Sequence, residues 1–160
     1  MRNIIAEAAA YAKSVHKDQK RKDGKPYFTH LQAVALIVAT EWQTLIPRVA
    51  QDRVAQDIWD ALKDHVIAAA YLHDSMEDQG VTAADLSAAG FSELTISMVE
   101  ALTRKPDENY FDFIMRIKDA GPALVSPAVI KLADLKHNMS DLAEGSLKDK
   151  YRFAQYILTH

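Results

Sequence analysis

Apolar residues recur along this chain at three- and four-residue spacing from one end to the other, and no stretch alternates convincingly with period two. Val, Ile and Thr, which favour strands, sit inside the helical spacing. In IIAEAAAYAKSVH, for example, Ile4, Ala8, Tyr11, Ala12 and Val15 fall on one helix face. The punctuation agrees with this. QKRKDGKPY carries Gly24 and Pro26 and reads as a basic loop, with Thr29 as the cap of HLQAVALIVATEW. Pro47 interrupts, VAQDRVAQDIWDALKDH resumes the helical period, and HVIAAAYLHDSMED follows with little linker until Gly80. Thr82 and Gly90 bound a short helix, Ser92 caps FSELTISMVEALT, and NYFDFIMRIKDAG ends at Gly121 and Pro122. Ser126 and Pro127 open SPAVIKLADLKHNMSDL in the cap and first-turn arrangement, and SLKDKYRFAQYILTH closes the chain. The expectation is an all-α bundle of about seven to nine helices, forming one domain over residues 1–160.

Composition narrows the function classes. The net charge of -3 and the single short basic loop offer no continuous surface for tracking phosphates, so a nucleic-acid partner is not expected. There is no Cys, which removes disulfides, thiolate metal sites and a Cys nucleophile. No apolar run is long enough for a membrane span, and the N-terminus lacks the layout of a signal peptide. A cytoplasmic protein without a membrane partner is expected. One core accounts for the apolar stretches, so they point to no oligomeric state.

The chemistry concentrates where the apolar run VIAAAYL gives way to His73, Asp74, Glu77 and Asp78. His73 and Glu77 are four residues apart, as are Asp74 and Asp78. On one continuous helix each pair stacks on one face. Three carboxylates would then crowd the helix's C-terminal half, against the negative end of the macrodipole. A cation among them relieves this, and a His-plus-carboxylate set suits Mn, Fe(II), Zn or Mg. Taken alone, the string reads at least as well as solvated residues where a buried helix surfaces. The same holds for His30 as a core or helix-start histidine, and for Lys131, Asp134, Asn138 and Asp141 as an exposed helix stripe.

Together these residues form an H…HD…D pattern, and the chain resembles the HD superfamily of metal-dependent phosphohydrolases. Within it, the chain is similar to the hydrolase domain of the RelA/SpoT alarmone enzymes and to their stand-alone small relatives. The resemblance rests on Ala12, His16, Gln19, Arg21, Lys22, Gly24, Pro26, Tyr27 and His30, then on Leu72 to Asp78, then on Lys131 to Asn138; VEALT, residues 99 to 103, adds to it. It implies an HD-domain helical bundle with His30, His73, Asp74 and Asp134 as ligands to one Mn2+. It implies Glu77 and Asp78 as the catalytic acid–base pair, with their individual roles open. Arg21, Lys22 and Asn138 would bind a nucleotide substrate, and Lys131 has a rival role as ion-pair partner of Asp134. The implied reaction is hydrolysis of the 3′-pyrophosphate of guanosine tetra- or pentaphosphate. With 160 residues, no synthetase or regulatory domain is expected beside it.

The chain departs from the family pattern in an extension over residues 41–65, with Trp42 and Trp59, which would either wall the pocket or pack outside the bundle. It also reads DLKHN where DRLHN is usual, and Asp141 stands where a threonine is common. Substrate alternatives are therefore ppApp or the 2′-phosphate of NADPH, and the alternative to an enzyme is a non-catalytic nucleotide-binding module.

Overall fold

The computed structural model describes residues 1–45, 53–120 and 127–160. Among these, nine helices run in order: α1 (Ile4–Val15), α2 (Phe28–Leu45), α3 (Arg53–Leu72), α4 (Ser75–Gln79), α5 (Ala83–Ala88), α6 (Glu93–Ala101), α7 (Tyr110–Asp119), α8 (Pro127–Met139) and α9 (Ser146–Thr159). The fold is all-α, as the periodicity requires. The expected break at Pro47, the stop at Gly121 and Pro122, and the Ser126 cap lie outside the described residues.

Helix α3 is the centre of the bundle and touches α1, α2, α6 and α8. Its C-terminal half is buried on most sides, through Val66, Ala68, Ala69, Ala70 and Leu72, and α1 meets it with Ala8 and Ala12. Short side chains on both sides let the two backbones approach closely, since interaxial distance follows the residues at the contact. Trp42 of α2 stacks on Trp59 of α3, with ring centroids 4.8 Å apart and planes 25° from parallel. Both rings are buried, so the tryptophans of the extension serve packing between two helices rather than walling a pocket. No described helix is long and apolar enough to cross a membrane.

Local hydrogen bonds set most helix ends. Thr82 and Asp85 form a reciprocal capping box at α5, and Ser92 accepts from the Thr95 amide at α6, 3.2 Å. Thr29 is not a cap: α2 already begins at Phe28, and the Thr29 hydroxyl donates back to the Pro26 carbonyl, 2.7 Å. The basic loop before it is a built turn. A bridge pairs Lys20 with Pro26, the Arg21 amide donates to the Lys25 carbonyl at 2.9 Å, and Gly24 sits at φ 87°, where a Cβ would be strained.

One element differs from the sequence reading in a way that shapes the site. The stretch from His65 to Asp78 is not one helix. Helix α3 stops at Leu72, His73 and Asp74 form a turn, and α4 restarts at Ser75. The last carbonyls of α3 would otherwise lack partners. Two side chains take them: His73 Nδ1 lies 2.6 Å from the Ala70 carbonyl, and Ser75 Oγ donates to the Leu72 carbonyl at 2.7 Å.

Candidate functional site

The helix break orients His73. Because Nδ1 donates to a carbonyl, which only accepts, Nε2 is the nitrogen that carries the lone pair whenever the ring is neutral, as it must be to ligate an ion. From α2, His30 brings its Nε2 to the same place, and α8 brings Asp134. Potential ligand atoms of His30, His73, Asp74 and Asp134 all lie within 4.8 Å of one another. His30 Nε2 is 2.9 Å from Asp134 Oδ1, and His73 Nε2 is 3.1 Å from Asp74 Oδ2. His30 is 1% exposed, His73 3% and Asp134 5%.

Neither Nε2 atom makes a hydrogen bond despite this proximity. Buried polar atoms are nearly always paired, so two orphaned nitrogens beside two carboxylates need another partner. Two imidazole nitrogens and two carboxylate oxygens form a mixed set that fits a divalent cation such as Mn2+, Fe2+ or Zn2+.

Outer residues hold the carboxylates. Tyr27 Oη donates to Asp74 Oδ2 at 2.7 Å, and burial together with Asp74 pushes that phenol far up. Asn138 Nδ2 donates to Asp134 Oδ1 at 3.0 Å, and Lys131 Nζ to Asp134 Oδ2 at 2.9 Å. Burial disfavours the Asp134 carboxylate, but Lys131 overrides that and holds its pKa well below the usual carboxylate range. Burial likewise opposes a charged His73, and Asp74 and Asp134 overcome it, so its pKa lies well above the ordinary imidazole value.

Glu77 and Asp78 occupy α4, one turn past the break; the Asp78 amide donates to the Asp74 carbonyl at 2.9 Å. Burial, then Asp74, raises the pKa of both carboxyls. Gln19 Nε2 donates to Asp78 Oδ2 at 3.1 Å, and Gln19 Oε1 accepts from Gln79 at 2.8 Å. The same Oε1 lies 2.6 Å from His16 Nδ1.

The basic loop closes one side of a cleft of about 370 Å3 lined by Lys20, Arg21, Lys22, Tyr27, Asn138 and Tyr151, among others. Tyr27 and Asn138 also bond the clustered carboxylates, so the cleft adjoins the cluster. Arg21 donates to Asn138 Oδ1 at 3.2 Å, while Lys22 is exposed on the rim. Every described candidate thus falls in one region: four in the cluster, two on α4 and three along the cleft. Sequence reasoning gave no role to Tyr27, Gln19 or His137 beyond motif membership. His137 Nδ1 lies 2.7 Å from His30 Nδ1, a contact no local pattern announces.

An all-α bundle closed around two buried histidines, a buried aspartate and a second, partly exposed one, with a basic cleft beside it, defines the class of protein. The chain belongs to the HD domain family, whose model matches residues 8–112. That span contains His30, His73 and Asp74, whereas Asp134 reaches the cluster from beyond it. Over 95% of its length the chain is 29% identical to the probable guanosine-3′,5′-bis(diphosphate) 3′-pyrophosphohydrolase of Synechocystis sp., covering 18% of that protein. It is 28% identical to the protein of the same description from Mycoplasma pneumoniae, over 87% of this chain and 18% of that one. It is also 29% identical to the bifunctional (p)ppGpp synthase/hydrolase SpoT of Escherichia coli, over 92% and 19%. The chain thus spans less than one fifth of the curated relatives it matches. A solved structure described as a metazoan ortholog of SpoT that hydrolyzes ppGpp shares the fold, with a TM-score of 0.69 at 21% identity over 99% of this chain and 84% of that one.

Proposed function

We propose that this chain is a metal-dependent nucleotide phosphohydrolase that cleaves the 3′-pyrophosphate of guanosine 3′,5′-bis(diphosphate), with Mn2+ as its ion. The observation that carries the reading is the convergence of four ligand atoms within 4.8 Å, two of them buried and unpaired, beside a cleft with a basic wall. His30, His73, Asp74 and Asp134 hold the ion, which when bound supplies Lewis-acid stabilisation of charge at the phosphoryl group. Glu77 and Asp78 serve as the acid–base pair, holding and moving protons between the attacking water and the leaving oxygen. Their raised pKa values favour that work, because a carboxyl tuned toward neutrality both accepts and returns a proton. Arg21 takes the nucleotide by stacking or by a forked phosphate contact, and Lys22 and Asn138 line the approach. The names of the relatives above support the choice of substrate.

The test is product release by the purified protein from ppGpp with Mn2+, with an EDTA control and with ppApp and NADPH in parallel. Metal-dependent pyrophosphate release from ppGpp is expected. Turnover of ppApp or NADPH alone moves the substrate and keeps the site. Metal uptake with no turnover of any of the three favours the binding module.

A further inference from the structure

We propose that His137 is a positioning residue: it fixes the tautomer of His30 and so decides whether the cluster presents two imidazole lone pairs to a divalent cation or one. The inference rests on the metal reading of the cluster.

A neutral imidazole has one N–H and one lone pair, and the partner of one nitrogen determines what the other offers. For neutral His73 the Ala70 carbonyl fixes the proton on Nδ1. For His30 it is not. Its Nδ1 faces another imidazole nitrogen, Nδ1 of His137, at 2.7 Å, with ring centroids 5.0 Å apart and planes 30° from parallel. A contact that short between two neutral rings needs a single shared proton. With the proton on His30 Nδ1, His30 Nε2 shows its lone pair to Asp74, Asp134 and any cation between them. With the proton on His137 Nδ1, His30 Nε2 becomes an N–H, and the cluster loses a ligand.

The geometry points to the first arrangement. A hydrogen on His30 Nε2 finds no aligned acceptor although Asp134 Oδ1 is only 2.9 Å away, so that tautomer buries an unsatisfied donor. The first arrangement leaves no such donor and assigns His137 its proton on Nε2. His137 is also held in place on both sides. Lys136 pairs with Glu41 of α2, and Asn138 bonds Asp134. The acceptor that prepares His30 therefore arrives on the same helix as Asp134, so docking of α8 completes two ligands at once.

The test compares Mn2+ binding by the full chain, followed through the EPR signal of free Mn2+, in wild type, His137→Leu and His137→Asn. Leucine removes the acceptor at similar size, whereas an asparagine oxygen can stand where Nδ1 stood. Circular dichroism and metal-free melting establish that each variant is folded. Loss of an outer partner of a metal ligand costs about 10- to 100-fold in affinity, and that loss is expected for leucine with substantial recovery in asparagine. Unchanged affinity in His137→Leu, or asparagine as weak as leucine, overturns the proposal. If the variants do not fold, long-range 1H–15N spectra of the Zn2+-loaded wild type read the tautomer directly. A proton on His137 Nε2 supports the proposal, and one on Nδ1 overturns it. A wild-type chain that takes up neither ion overturns the metal reading itself, which is a separate result.

Discussion

Glu77 and Asp78 are placed at a cost that a purely structural surface would not carry. Both keep solvent access but lie near Asp74, and partial desolvation together with that charge raises their carboxyl pKa values above the ordinary range. A carboxyl whose folded pKa is raised binds more protons folded than unfolded, so its contribution to stability falls as pH rises through that window. Above that window both groups oppose folding. Glu77→Gln and Asp78→Asn should therefore melt higher than wild type in EDTA, by about 1–3 °C for a chain of this size. Turnover should fall about a hundred- to ten-thousandfold while Mn2+ is retained. A variant with lower melting and unchanged turnover removes the acid–base assignment. Arg21 gives the opposite pattern. It bonds Asn138 across the cleft and touches no clustered carboxylate. Arg21→Ala should raise KM for ppGpp and leave Mn2+ affinity as it was, which parallel kinetics and metal titration check.

Helix ends show which parts of the site could be read from sequence. Thr82 and Ser92 were legible as caps because each bonds an amide three residues away, a relation contained in the local string. The break at His73 and Asp74 was not, because VIAAAYLHDSMED keeps helical spacing throughout. What stops α3 is competition for its final carbonyls by the His73 ring and the Ser75 hydroxyl. The break also reverses an electrostatic argument. On a continuous helix Glu77 and Asp78 would face the negative end of the macrodipole, whereas they lie in the first turn of α4, where negative charge is favoured. The candidate ligands themselves could be picked out because their spacing matches a known pattern. Their outer partners could not, since His137 on His30 and Gln19 on Asp78 join residues 107 and 59 positions apart. The terminus of α4 offers a test at this scale. Gly80 closes it at φ 65°, with open space around a notional Cβ, so Gly80→Ala isolates backbone strain from steric clash. The left-handed conformation costs a non-glycine residue about 1–2 kcal/mol, and the melting temperature should drop by several degrees.

At the scale of the molecule, the cluster joins three parts of the bundle: α2 through His30, the α3–α4 turn through His73 and Asp74, and α8 through Asp134. Without an ion these parts are still bonded to one another, since Tyr27, just before α2, donates to Asp74 in the turn and His137 of α8 meets His30 of α2 at 2.7 Å. The metal-free chain should therefore fold cooperatively. An ion that binds only the folded state adds stability by mass action, about 2.7 kcal/mol at a hundredfold excess over Kd. For a chain of this length that is roughly 5–10 °C in melting temperature. Melting in Mn2+ should exceed melting in EDTA by that amount. Asp74→Asn should abolish the increment while the metal-free melt persists, because Asp74 is a proposed ligand in the turn and not part of the apolar core. An increment that survives in Asp74→Asn would place the ion elsewhere. No increment in wild type would make the cluster a polar knot held by its own ion pairs, with Lys131 in the role assigned here to the metal.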